Sequence, residues 1–156
     1  MDKIVKLLVV FVASLFLLGC TGRETVETGY DAELAASLGA DDYGMKMYTL
    51  VILKTGPSQE SDKQVLDSLF RGHMDNISKL AEEGKLVVAG PLGPNENAYR
   101  GIFIINSVSA EEVNEMMQGD PAITSGVLAV ENYSWYGSAA LSHYLELHKR
   151  IEKIKP

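Results

Sequence analysis

The chain has 156 residues, of which 46% are hydrophobic and 22% charged, and 21 acidic against 14 basic side chains give a formal charge of -7. That is one globular domain's worth and too apolar for a disordered chain. The negative balance excludes sequence-independent binding to nucleic acid, which needs a positive field, and the single cysteine excludes an intrachain disulfide and any Cys-rich zinc or iron–sulfur cage.

The first segment reads as an address. Lys3 and Lys6 precede an apolar run from Leu7 to Gly19 that is short for a membrane-spanning helix but suits a secretory leader. The run ends in Leu17-Leu18-Gly19-Cys20, which looks like a bacterial lipobox, with Cys20 as the thiol that receives a diacylglyceryl group. This reading predicts a leader over 1–19, acylation (palmitate or similar chains) at Cys20, and a chain held to a lipid bilayer in the bacterial cell envelope. Thr21, where an Asp often retains such proteins at the inner membrane, points to the periplasmic face of the outer membrane. Without residues 1–20 the chain has 12 basic and 20 acidic side chains, so lipid and not a basic patch would hold it there.

Residues 20–44 read as a tether followed by a short helix, Tyr30–Leu38, with Asp31 as its cap and Gly39 as its stop. Met45–Lys54 is rich in β-branched and aromatic residues and predicts the first strand. Asp62–Glu83 has apolar residues at helical spacing and ends at Gly84. Leu86–Ala89 predicts a second strand, followed by the irregular loop Gly90-Pro91-Leu92-Gly93-Pro94-Asn95, and Tyr99–Asn106 a third. Ser109 and Glu112 form a capping-box pair at the start of a second helix ending at Gly119. Val127–Tyr136 predicts the fourth strand, and 137–156 a C-terminal helical extension, drawn as one helix over Ser138–Lys155 with apolar positions 141, 144, 145, 151 and 154.

Strand, helix, strand, strand, helix, strand over 45–136 predicts an α+β fold, a ferredoxin-like sandwich with helices on one face of a four-stranded antiparallel sheet. The third strand has apolar residues of both parities, Ile102 to Ile105, so the second face needs cover as well. Either the last helix or a second subunit's sheet supplies it.

Several pieces then carry a resemblance: Arg71-Gly72-His73, Leu80–Leu92, Arg100-Gly101, Gly119-Asp120-Pro121 and the aromatic-ended Val130–Trp135. The stretch Lys46–Trp135 resembles the YCII-related family, and the Trp135-Tyr136-Gly137-Ser138 ending resembles a lipoprotein subtype of it. The resemblance implies a homodimer whose two sheets pack face to face as a dimeric α+β barrel. It also implies a pocket faced by a helix His and an Asp before Pro, which here are His73 and Asp120. The wider superfamily includes lactone isomerases and small oxygenases that work without a permanently bound metal.

His73 lies on the apolar stripe of its helix, three after Phe70 and four before Ile77, so it is either a satisfied core group or a pocket wall. A carboxylate beside it would fix its tautomer and leave the other ring nitrogen to exchange a proton. Asp120 before Pro121 equally matches a helix N-cap with proline at the first helical position. Gly90 and Pro91 suit a rigid pocket mouth or a plain strand connection. Arg100, and less so Arg71, could meet an anionic substrate, and the Tyr48 hydroxyl could reach the same pocket.

No metal is expected: His143 and His148 are five apart and miss one helix face, and His73 with Asp120 supplies only two ligands. No cofactor is expected either. The predicted function is a small-molecule lyase or isomerase using His73 and Asp120 for proton transfer on an unknown small molecule. The alternative is a non-catalytic envelope lipoprotein that binds a small ligand or a protein partner.

Overall fold

The computed structural model describes residues 29–154. The expected leader over 1–19 and the lipid anchor at Cys20 lie outside the described residues. Among the described residues no helix is long and apolar enough to cross a membrane.

Helix α1 (Ala32–Leu38) starts where Asp31 Oδ1 accepts from the Leu34 N–H at 2.9 Å and stops at left-handed Gly39. Strand β1 (Met45–Thr55) follows a turn in which Asp41 accepts from the N–H groups of Tyr43 and Met45. Helix α2 (Lys63–Glu82) is capped by Asp62, which accepts from Gln64 and Val65. It ends in a Schellman turn: Gly84, at φ +68°, donates to the Ala81 carbonyl and Lys85 to that of Leu80. Strands β2 (Leu86–Pro91) and β3 (Tyr99–Ile105) form a hairpin. Helix α3 (Ala110–Gln118) has the expected Ser109 cap, but the Glu112 carboxylate turns to the Ser107 hydroxyl at 2.6 Å instead of closing the box. A single turn, α4 (Pro121–Thr124), leads into β4 (Leu128–Ser138).

The sheet is antiparallel throughout, in the order β2-β3-β1-β4. One face carries Val51, Leu53, Phe103 and Ile105 into a cluster with Leu80 of α2 and Val113 and Met117 of α3. Burying each such side chain contributes about 1.5–3 kcal/mol. Tyr48, Val87 and Ile104 lie on the other face, with half-buried Leu50, Val88 and Trp135.

The expectation of a ferredoxin-like sandwich closed into a dimeric α+β barrel is corrected here. The fold is a mixed α+β arrangement on an open four-stranded sheet whose edge strands, β2 and β4, do not pair with each other. Leu141 and Tyr144 of the same chain pack on the second face, over the Tyr48–Val87–Ile104 cluster. The chain's own C-terminal segment thus covers part of the second face, while Tyr133, opposite Leu50 in β4, stays half exposed.

That segment is not one helix either. A 3-10 turn (Ala139–His143) precedes α5 (Tyr144–Ile151), and the Ser138 hydroxyl accepts from the Ala140 N–H at 3.3 Å. The tighter turn sets Leu141 and Tyr144 down on the sheet. Beyond them the helix leaves the surface, and Ile151 and Ile154 are 79% and 81% exposed.

Candidate active site

Three residues on one face of α2 meet the elbow between α3 and α4. Gly72 comes first. A Cβ there would stand 2.6 Å from Pro121 Cγ, so only glycine lets α2 and α4 approach this closely. His73 is next, with its Nδ1 2.5 Å from Asp120 Oδ2. One turn on, buried Asn76 donates from Nδ2 to the Met116 carbonyl at 3.4 Å and lies against Gly119.

Asp120 is completely buried, and His73 is 8% exposed. The two Asp120 oxygens have separate duties. Oδ1 accepts from the N–H groups of Ala122 at 3.0 Å and Ile123 at 3.4 Å, capping α4, while Oδ2 faces the imidazole. An ionised carboxylate only accepts, so the ring proton on this side belongs to His73 Nδ1. A charge-assisted bond of this kind is about twice as strong as a neutral one and holds the ring in one orientation.

The ring is also walled in. It stacks on Phe103 of β3 with centroids 5.9 Å apart and meets Phe70 edge-on at 6.1 Å. Its Nε2 has no partner among the described residues, and no fully buried side-chain nitrogen or oxygen among them is left unpaired. Nε2 is therefore the polar part of the ring that reaches the surface. With Nδ1 fixed as donor, Nε2 carries a lone pair able to accept a proton and later return it.

The other expected pocket residues do not join this pair. Tyr48 is fully buried on the opposite face of the sheet, beside Trp135, and its hydroxyl donates to the Ser138 carbonyl at 2.9 Å. Burial raises its phenol above the ordinary value. Gly90 and Pro91 end edge strand β2, opposite Ile102 and Gly101, with Pro91 exposed. Arg100 is exposed at the bulge where the β1–β3 register slips between Leu53 and Lys54. Arg71 is exposed as well. Among the described residues, no group of three or more His, Cys, Asp or Glu side chains comes together to hold a metal ion.

Asn76 escaped the sequence reading. Its signal was present: a polar residue three after His73 on an otherwise apolar stripe.

No curated protein matches the chain. Among solved structures, 5-chloro-2-hydroxyhydroquinone dehydrochlorinase from Burkholderia phenoliruptrix, in complex with 2,5-dihydroxybenzoquinone, is 22% identical. The alignment covers 56% of this chain and 92% of that one with a TM-score of 0.42. The YCII-related domain profile matches residues 47–135, from the start of β1 almost to the end of β4, so the segment that holds His73, Asp120 and the whole helical elbow is a YCII-related domain and the chain belongs to that family.

Proposed function

We propose that the chain is a small-molecule lyase or isomerase in which His73 exchanges a proton with substrate through Nε2 and Asp120 holds the imidazole in the tautomer that allows it. The observation that carries this reading is the 2.5 Å contact between His73 Nδ1 and the Oδ2 of a completely buried Asp120, with Nε2 left accessible. A histidine serving only the core would have both nitrogens satisfied inside the protein. Here one nitrogen is fixed and the other is free, the arrangement a general base requires. β-Elimination by a lyase and a proton-shift isomerisation both begin with removal of a proton from carbon, so the pair serves either reaction.

The test can be run before the substrate is named. Small hydroxylated, cyclic and carboxylated compounds are incubated with the protein in heavy water, and loss of carbon-bound hydrogen signals is followed by NMR. The wild type should accelerate exchange or elimination in at least one compound, and His73→Ala should slow it by about 10²–10⁴-fold. Turnover that survives His73→Ala unchanged would end this reading.

A further inference from the structure

A groove of about 360 Å³ lies between the C-terminal half of α2 and α3, starting one turn after His73 and lined by neither His73 nor Asp120. Its volume is within the range of small-molecule sites, about 300–1,000 Å³. Half-buried Met116 gives it an apolar patch, with the edge of Leu80 behind it. Asn76 also lines it and is 8% exposed. Its Nδ2 is committed to the Met116 carbonyl, whereas Oδ1 accepts no hydrogen bond among the described residues. Because no fully buried side-chain oxygen among them is left unpaired, Oδ1 opens into the groove. A nearly buried acceptor awaiting a donor is an incomplete site.

The charges around the groove are incomplete in the same way. Lys85 is paired with Glu83 at 2.7 Å, and Glu112 is engaged by the Ser107 hydroxyl. Lys79 and Glu115 line the groove with no close ion pair among the described residues, Lys79 acting on Glu83 and Glu115 on Lys85 only at longer range. Three features therefore seek partners: a carboxylate and an amide oxygen that want N–H donors, and an ammonium that wants an anion. A plain amine would leave Lys79 unanswered, and a plain carboxylate would leave Glu115 and Asn76 unanswered.

We propose that this groove binds a small zwitterion of the α-amino-acid class with an apolar side chain. The ligand ammonium meets Glu115 and Asn76 Oδ1, the ligand carboxylate meets Lys79, and the side chain lies on Met116. The groove contains neither His73 nor Asp120 but shares Asn76 and Gly119 with the elbow beside them, so L-leucine binding is read separately from proton transfer, in His73→Ala as well as in the wild type.

The probe is L-leucine, titrated into isotopically labelled full chain and followed through backbone amide shifts. Saturable shifts are expected at Asn76, Lys79, Glu115 and Gly119. Isoamylamine, which lacks the carboxylate, and isocaproate, which lacks the ammonium, should each bind at least about tenfold more weakly. The exposed substitutions Lys79→Gln and Glu115→Gln, which leave the core untouched, should each weaken L-leucine by about tenfold or more. The proposal is overturned by an absence of saturable shifts up to about 10 mM. Shifts confined to other parts of the chain would overturn it as well, as would isoamylamine or isocaproate binding as tightly as L-leucine.

Discussion

Asp120 binds His73 with one carboxylate oxygen and caps the next helix with the other. The capping and catalytic readings of this residue therefore do not compete. The helix cap fixes the carboxylate, and the fixed carboxylate orients the imidazole. Asp120→Asn and Asp120→Ala separate the two duties. Asn keeps a capping oxygen but presents an amide N–H to His73, which reverses the ring tautomer. It should lower turnover by about 10²–10⁴-fold with a modest loss of stability. Ala should also lose the cap, about 1 kcal/mol, and a charged hydrogen bond, about 1.5–3 kcal/mol. Denaturant unfolding of both variants checks the difference, and equal stability of the two would show that the cap contributes nothing.

Gly72 gives a second check, in which intrinsic propensity and packing predict opposite signs. In an exposed helix interior, Gly→Ala stabilises by about 1 kcal/mol. At 72 the new methyl would stand 2.6 Å from Pro121 Cγ, so α2 and α4 must part. Overpacking of this kind costs about 1–3 kcal/mol and should outweigh the helical gain. Gly72→Ala should thus destabilise the chain and loosen His73 from Asp120. Thermal unfolding reads the first effect, and the His73 ring signals in NMR read the second.

Tyr48→Phe tests the separation of the two sheet faces. Loss of the bond to the Ser138 carbonyl should cost about 1 kcal/mol in unfolding measurements. Because Tyr48 lies across the sheet from His73, proton-transfer activity should stay within twofold of wild type, about 0.4 kcal/mol in barrier. A large loss of activity without a loss of stability would place the phenol in the reaction.

The pH dependence of the β1 entry follows from Asp41. The Tyr136 hydroxyl first, and then the Met45 N–H, hold its carboxyl below the ordinary value. A carboxyl whose value falls on folding adds stability above its unfolded value and loses it as pH drops through the folded one. The gap in stability between wild type and Asp41→Asn should therefore be constant at neutral pH and shrink in acid below about pH 4. Unfolding curves at a series of pH values check this, and a gap that widens in acid would contradict it.

Local signals made most of the elements legible. Asp31 and Ser109 are caps as their positions imply, Asp62, read as the first helical residue, is a cap as well, and Gly39 and Gly84 end helices in the left-handed conformation. The helical stripe turned His73 inward and the Asp-Pro turn marked a cap at Asp120, but that the two meet was legible only through the resemblance to the YCII-related family. What covers the second sheet face was not legible. Apolar residues of both parities in β3 state only that a cover is needed, and the placement of Leu141 and Tyr144 there depends on how Ser138 turns the chain. Tyr48 shows the same limit from the other side. Its strand was evident, but which face it occupies depends on register, and a shift of one residue would have put it on the face that carries Phe103 and Ile105.

The central position of β1 has a consequence for the order of assembly. Its two neighbours come late: β3 pairs with it across the hairpin partner β2, and β4, with Thr55 opposite Leu128 and Met45 opposite Ser138, is the last strand made. Until residue 138 has been synthesised, the whole length of β1 has one bare hydrogen-bonding edge. Such non-local pairing is slow to close and leaves a template for a second chain while it waits. A product ending before Leu128 would keep that edge permanently open, and its fate would be clumping and not partial function. For a chain of this topology, the vulnerable moment is the interval between the emergence of its first strand and that of its last.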